Sequence, residues 1–226
     1  MPAFFRETLS ACEGDLFFRE VCRRYHYETT DFDRLKDVWK NLQKGIRKEA
    51  FWEHRIFLKE GVPMSQVVIT LGEGVDSCQE KYTQVGELSE AYMVEVLTSE
   101  LLLRAYQAYN LWVEEHTAYV VKRYHFLGSA GYPMEGLPDF LQQLSVSVSC
   151  TGGMCMQPKK SVAFYAELIE QKEAKQLKVT CPGICTGCEN GDCPNRMREA
   201  SRQWNFADMT DRPLPYGYQQ IWGGKK

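Results

Sequence analysis

Four cysteines near the C-terminal end carry the strongest chemical signal in the sequence. Their spacing is Cys181-x3-Cys185-x2-Cys188-x4-Cys193, with Pro194 next. Pro182, Gly183, Gly187 and Gly191 let so short a segment turn its thiolates onto one centre. Thiolates suit zinc and iron–sulfur clusters. Zinc knuckles use two Cys-x2-Cys pairs, and only Cys185 and Cys188 form one here. Closely set cysteines ending in Cys-Pro resemble ferredoxin spacing, although the gaps differ. The spacing predicts a [4Fe–4S] cluster first and zinc second, with a metal-free segment as the remaining reading. The Cys-x3-Cys-x2-Cys triplet of radical enzymes belongs early in a large barrel, and no barrel precedes it here. A metal at this place either staples a segment with little core or transfers electrons.

The other five cysteines are dispersed. Cys22 reads as a core residue on a helix face. Cys150 and Cys155 flank a glycine loop and are candidates to join a site, and Cys78 is left open. The histidines His26, His54, His116 and His125 form no ligand-spaced pair. His125 is the best placed, just before a Gly-Tyr loop. Glu73 and Asp76 beside Gly72-Glu73-Gly74 read as a solvated turn, with a ribose or cation site as the sharper alternative. Lys159-Lys160 reads as a solvated pair, with an anionic partner as its alternative. No nucleophile elbow and no phosphate loop occurs.

The elements that must position these groups come from periodicity. The chain has 226 residues, 44% of them hydrophobic and 25% charged, an ordinary globular composition. Its formal charge of −3 argues against nucleic acid as a partner. No apolar run reaches the length of a membrane span. The first residues lack a basic stretch followed by an apolar one, so the expected compartment is the cytoplasm. Residues 15–27 predict a helix, and Thr29, Thr30 and Asp31 a break with a cap. Leu35, Val38, Leu42, Ile46 and Ala50 line one face of a helix expected from Phe32 to about Glu53. Gly61-Val62-Pro63 is punctuation, and residues 66–71 predict a buried strand. The longest helical pattern runs from Glu87 to about Glu115, with Val94, Leu97, Leu101, Ala105, Ala108 and Trp112 in one stripe, as expected of a core helix over a sheet. Strands are expected at 118–126, 145–150 and 161–168, with a helix possible from Glu167 onward, and a short helix is expected at 139–144. Loops rich in glycine and proline are expected at 127–138 and 151–161. Trp204, Phe206, Tyr216, Tyr218 and Trp222 stud the last residues among prolines and glycines.

Four of these segments together resemble the activation domain of cobalamin-dependent methionine synthase, in particular its small stand-alone relatives. They are VVITLGEGVDSCQEK (67–81), the long helix after it, Gly131-Tyr132-Pro133 with MEGLPDFLQQL (134–144), and Met156-Gln157-Pro158-Lys159-Lys160-Ser161-Val162. The resemblance spans residues 66–168, roughly half the chain. Cys188, Cys193 and Arg196 look like the terminal cysteine feature of the stand-alone members. The order and spacing of the segments, more than any one motif, carry the likeness.

The resemblance implies an α+β fold, C-shaped and built on a twisted antiparallel sheet with packed helices. It implies a helical N-terminal part (1–60), an activation-domain-like core (61–175) and a Cys-rich metal-binding segment with a tail (176–226). It implies S-adenosylmethionine as ligand, at Gly131, Tyr132, Arg123, Met156 and Pro158. It further implies a corrinoid-binding protein or cobalamin-dependent methyltransferase as partner, together with an electron-transfer partner. Two positions depart from the family pattern. Leu127 stands where the family carries an arginine, with Lys122 and Arg123 a few residues earlier. Gly152 stands where it carries an acid. Each change removes a charge-assisted contact worth ~1.5–3 kcal/mol. No Asp-x-His-x-x-Gly corrinoid motif is present. The expected function is therefore assistance in reductive activation of a corrinoid protein, with the electron passing through an iron–sulfur centre. The alternative is a non-enzymatic corrinoid-protein-binding module with a structural metal.

Overall fold

The computed structural model describes residues 14–129 and 131–177. It is an α+β fold around a four-stranded antiparallel sheet. Helix α1 (Asp15–Tyr25) ends on His26 in the left-handed region, whose N–H closes the helix on Cys22 O. A single turn at Thr29–Asp31 follows, with a capping box between Glu28 and Asp31. Helix α2 (Phe32–Glu49) buries Leu35, Val38, Trp39, Leu42 and Ile46, the stripe its periodicity predicts. It ends at Glu49, four residues short of the expected end, because Phe51–Lys59 forms strand β1.

A two-residue turn joins β1 to β2 (Val62–Thr70). Glu60 and Gly61 both take positive φ there, as the tight hairpin turn matched to strand twist requires. Gly72, at φ +88, turns the chain into α3 (Glu73–Gln84), and α4 (Leu88–His116) runs the length of the domain. Strand β3 (Tyr119–Phe126) follows, then an irregular loop, a turn at Met134–Gly136 and α5 (Leu137–Leu144). The expected strand at 145–150 shrinks to β4 (Ser149–Cys150), paired with β5 (Met156–Gln157). Strand β6 (Ser161–Glu170) inserts between β2 and β3, and α6 (Gln171–Leu177) closes the described chain.

Strand alternation assigns each face of the sheet. Val67, Ile69, Phe164, Ala166, Leu168, Val121 and Tyr124 face α1 to α4 in one large core. The expectation that the long helix covers the sheet holds: Val94, Leu97, Leu101, Ala105 and Ala108 are buried in that core. Helices α1 and α2 share it, and residues 60 and 61 lie inside a hairpin. Among the described residues, the opposite face is covered over only part of its width. There Val68 and Ala163 pack under Leu137, Phe140, Leu141 and Leu144 of α5 and under Val148. Gln66, fully buried, ties α5 down by donating Nε2–H to Phe140 O at 2.8 Å. Arg55 adds hydrogen bonds to Gln66 and Gln143.

Candidate functional site

The register of the sheet brings together the residues of the partly covered face. One rank crosses all four strands as Arg55, Gln66, Tyr165 and His125. The next crosses as Phe57, Met64, Glu167 and Arg123. A bulge in β3 between Val121 and Arg123 makes Lys122 an extra residue and lets its ammonium reach Glu167 at 2.6 Å.

Tyr132 closes onto this face from the loop after β3. Gly128 and Gly131, both at positive φ, fold the loop back so that Gly128 N–H donates to Tyr132 O and Tyr132 N–H to Ser129 O. The Tyr132 ring stacks on His125, centroids 4.7 Å apart and planes 25° apart. Tyr165 leans on it at 5.2 Å, and the Lys59 ammonium lies 4.5 Å from its centroid. Phe140 and Phe57 flank Tyr165.

Electrostatics here centre on Glu167. Burial pushes its carboxyl up, but Lys122, His125 and Arg123 outweigh that and bring it below the usual range. Burial holds the His125 imidazole below its ordinary value, although Glu167 opposes this. A neutral ring with its proton on Nε2 faces Glu167 Oε2 at 3.4 Å. Nδ1 is then a buried acceptor, and it has no hydrogen-bond partner. Burial also raises the Tyr165 phenol, which therefore stays protonated near neutral pH. Around the stacked rings and Glu167 stand four cations: Arg55 beside Tyr165, Lys59 over Tyr132, and Lys122 and Arg123 near Glu167.

The second group of expected residues lies elsewhere. Met156 packs at the edge of the small core under α5, and Pro158 is buried after a cis peptide bond. This segment is knitted to the turn before α3. Leu71 N–H donates to Lys160 O and Lys159 N–H to Asp76 Oδ2, both at 2.9 Å. The Ser161 hydroxyl sits 2.7 Å from both Thr70 Oγ1 and Pro158 O. Lys160 pairs with Glu95 of α4. Asp76 thus holds a loop, Glu73 is exposed, and the lysine pair is divided: Lys160 is structural and Lys159 exposed. The Gly72-Glu73-Gly74 turn serves helix packing: Gly74 N–H donates to Glu49 Oε2 at 2.7 Å, and Gly74 lies against Gly45 of α2.

Of the expected ligand residues, then, Gly131 and Tyr132 sit against His125, Arg123 lies one rank further along the same sheet face, and Met156 and Pro158 belong to the separate segment beside α3. Sequence reasoning missed Lys59, Tyr165 and Glu167. Their signal was present in β6, where Tyr165 and Glu167 alternate with the apolar Phe164, Ala166 and Leu168. An acid and a phenol on the second face of such a strand mark a face that is not all core.

The two departures from the family pattern leave S-adenosylmethionine with fewer charged partners. Leu127 packs against the small core, and a Cβ at Gly152 would meet nothing within 4 Å. Neither position supplies the charge that the family pattern places there, so the carboxylate and the ammonium of S-adenosylmethionine each lose a charged partner. Cys22 and Cys78 pack against the large core, Cys150 against the small one, and Cys155 is exposed. Among the described residues no cluster of His, Cys, Asp or Glu side chains is arranged to hold a metal ion. Cys181, Cys185, Cys188 and Cys193 lie outside the described residues. No helix among the described residues is long and apolar enough to cross a membrane. No protein-family model matches the chain, and no curated protein matches it.

Proposed function

We propose that this protein is an accessory factor in the reductive activation of a corrinoid protein. One observation supports the reading most. Two segments that carry the resemblance, Thr70–Asp76 and Met156–Val162, lie far apart in sequence yet meet through paired backbone and side-chain hydrogen bonds. They border the sheet onto which the Gly131–Tyr132 loop folds. Segments that resemble one domain in order thus also cooperate in space.

Cys181, Cys185, Cys188 and Cys193 would hold a [4Fe–4S] cluster or zinc, since four thiolates suit either. A bound iron–sulfur cluster supplies one-electron transfer. The chain's own contribution is positional. The sheet and α5 present Tyr132, Tyr165 and the surrounding cations on one rigid face, where a corrinoid-binding protein or cobalamin-dependent methyltransferase would dock.

The test is made on anaerobically purified full-length protein. Iron and acid-labile sulfide are measured, and an oxidised corrinoid protein with a chemical reductant is followed by its visible spectrum. The expected result is about four iron and four sulfide per chain and faster return of the reduced corrinoid when the protein is present. Metal-replete protein that leaves the rate unchanged overturns the reading. Zinc in place of iron, with corrinoid-protein binding but no acceleration, replaces it with the binding-module alternative.

A further inference from the structure

The partly covered sheet face combines stacked rings with a charge opposite to that of the chain as a whole. The protein is formally −3, yet Lys59 lies over Tyr132, and Lys122 and Arg123 lie near Glu167, the acid that pairs with the His125 on which Tyr132 stacks. A local excess of one sign on an oppositely charged protein selects its ligand by field as well as by contact. The rings select for shape. Tyr132 is backed by His125 on a stack of 4.7 Å and braced by Tyr165, so its plane is fixed before any ligand arrives.

We propose that this face binds a nucleoside phosphate, with its base against the Tyr132–Tyr165 rings and its phosphate between Lys59, Lys122 and Arg123. Lys59 is exposed and now covers the Tyr132 ring. Moving it from ring to phosphate exchanges a cation–π contact for a charge-assisted hydrogen bond, the stronger of the two at an exposed site. Lys122 is held at Glu167 by the bulge in β3, so its charge is in place at no further cost in ordering. S-adenosylmethionine carries a sulfonium and an ammonium against a single carboxylate, so the same cations favour the phosphates of a nucleotide over it. The selection is thus for a planar base with negative charge and against one with positive charge. This inference rests on the charges and rings of the sheet face and not on the corrinoid reading. Either can fail alone.

Calorimetry on the full-length protein at low salt tests it, with ADP, adenosine, inorganic phosphate and S-adenosylmethionine as separate titrants. ADP is expected to bind at least ~10-fold more tightly than any of the other three, and to weaken as salt rises. K59E should weaken ADP by about 10-fold or more while adenosine changes little. Because Lys59 is exposed, its thermal melt should match that of the parent. Y132L should weaken ADP and adenosine together. No detectable ADP binding, S-adenosylmethionine binding as tightly as ADP, or an ADP affinity unchanged in K59E would each overturn the proposal.

Discussion

The buried Arg24–Glu100 pair shows how single side chains lock the helical layer. Arg24 Nη1 lies 2.6 and 2.5 Å from the two Glu100 oxygens, and Tyr25 O–H donates to the same carboxylate at 2.9 Å. The two side chains are only 9% and 5% exposed, so each charge depends on the other for solvation. E100Q removes the charge facing Arg24 but keeps the volume. It should cost ~3–5 kcal/mol, read as a lower urea midpoint. R24M/E100L, which removes both charges, should recover much of that loss. His125 and Glu167 pair in the same way on the other face, but there the imidazole is neutral, its Nδ1 has no partner, and the gain is orientation of Tyr132. One buried pair serves the fold and the other the site.

Among the elements, α2 meets the start of α3 backbone to backbone. A Cβ built on Gly74 would lie 2.8 Å from Gly45 Cα, and one on Gly45 would lie 3.0 Å from Gly74 Cα. Backbone meets backbone, so neither side can yield by rotating a side chain. G74A should destabilise the protein by ~1–3 kcal/mol despite its gain in helix propensity. A parallel loss of helix signal and of the large-core aromatic signal on thermal melting would show that the helix pair itself has shifted. These glycines also mark where sequence reading falls short. From the sequence, Gly45 only weakens a helix slightly, and Gly72-Glu73-Gly74 reads as a solvated turn. Only the fold reveals that they touch. Helices α1, α2 and α4 and strands β3 and β6 were legible because their apolar residues recur at one clear period. Strand β1 was not, since it has solvent on one edge and alternates Glu53, His54 and Arg55, which continue the polar texture of α2. Helix α3 buries only Val75 and so has no stripe to read. In the candidate site, Gly131 and Tyr132 were named from the resemblance, and Arg123 only as a stand-in for the arginine that its pattern places at Leu127. Lys59 ends β1 while Tyr165 and Glu167 lie two residues apart on β6, and only strand register links those two segments.

For the whole molecule, the two partly enclosed histidines lie on opposite faces of one sheet and respond to acid with the same sign. Burial lowers the His54 pKa, with Glu53 opposing, while Ser65, Tyr109 and Trp112 enclose it. Burial lowers that of His125, with Glu167 opposing and Arg123 and Lys59 adding to the effect; Tyr132 stacks on it. Folded values below the ordinary 6.5 mean that the unfolded chain takes up protons first. This stability is complete above about pH 6.5 and is lost as pH falls toward the folded values. The depressed Glu167 adds a further loss below its ordinary 4.5. The melting temperature should therefore be lower at about pH 5.5 than at about pH 7.5, and H54F should flatten part of that slope. A slope of opposite sign would show that neither histidine is held neutral. The strand order adds one more property at this scale. Among the described residues, strands β2 and β6 are hydrogen-bonded along both edges, whereas β1 and β3 pair along one edge only. Fluctuations that peel back a margin thus release Lys59 or His125 first and leave the ladder beneath Tyr165 and Glu167 closed. The candidate site has a stationary floor and two yielding rims, so a ligand can be admitted by local breathing at an edge without opening the core.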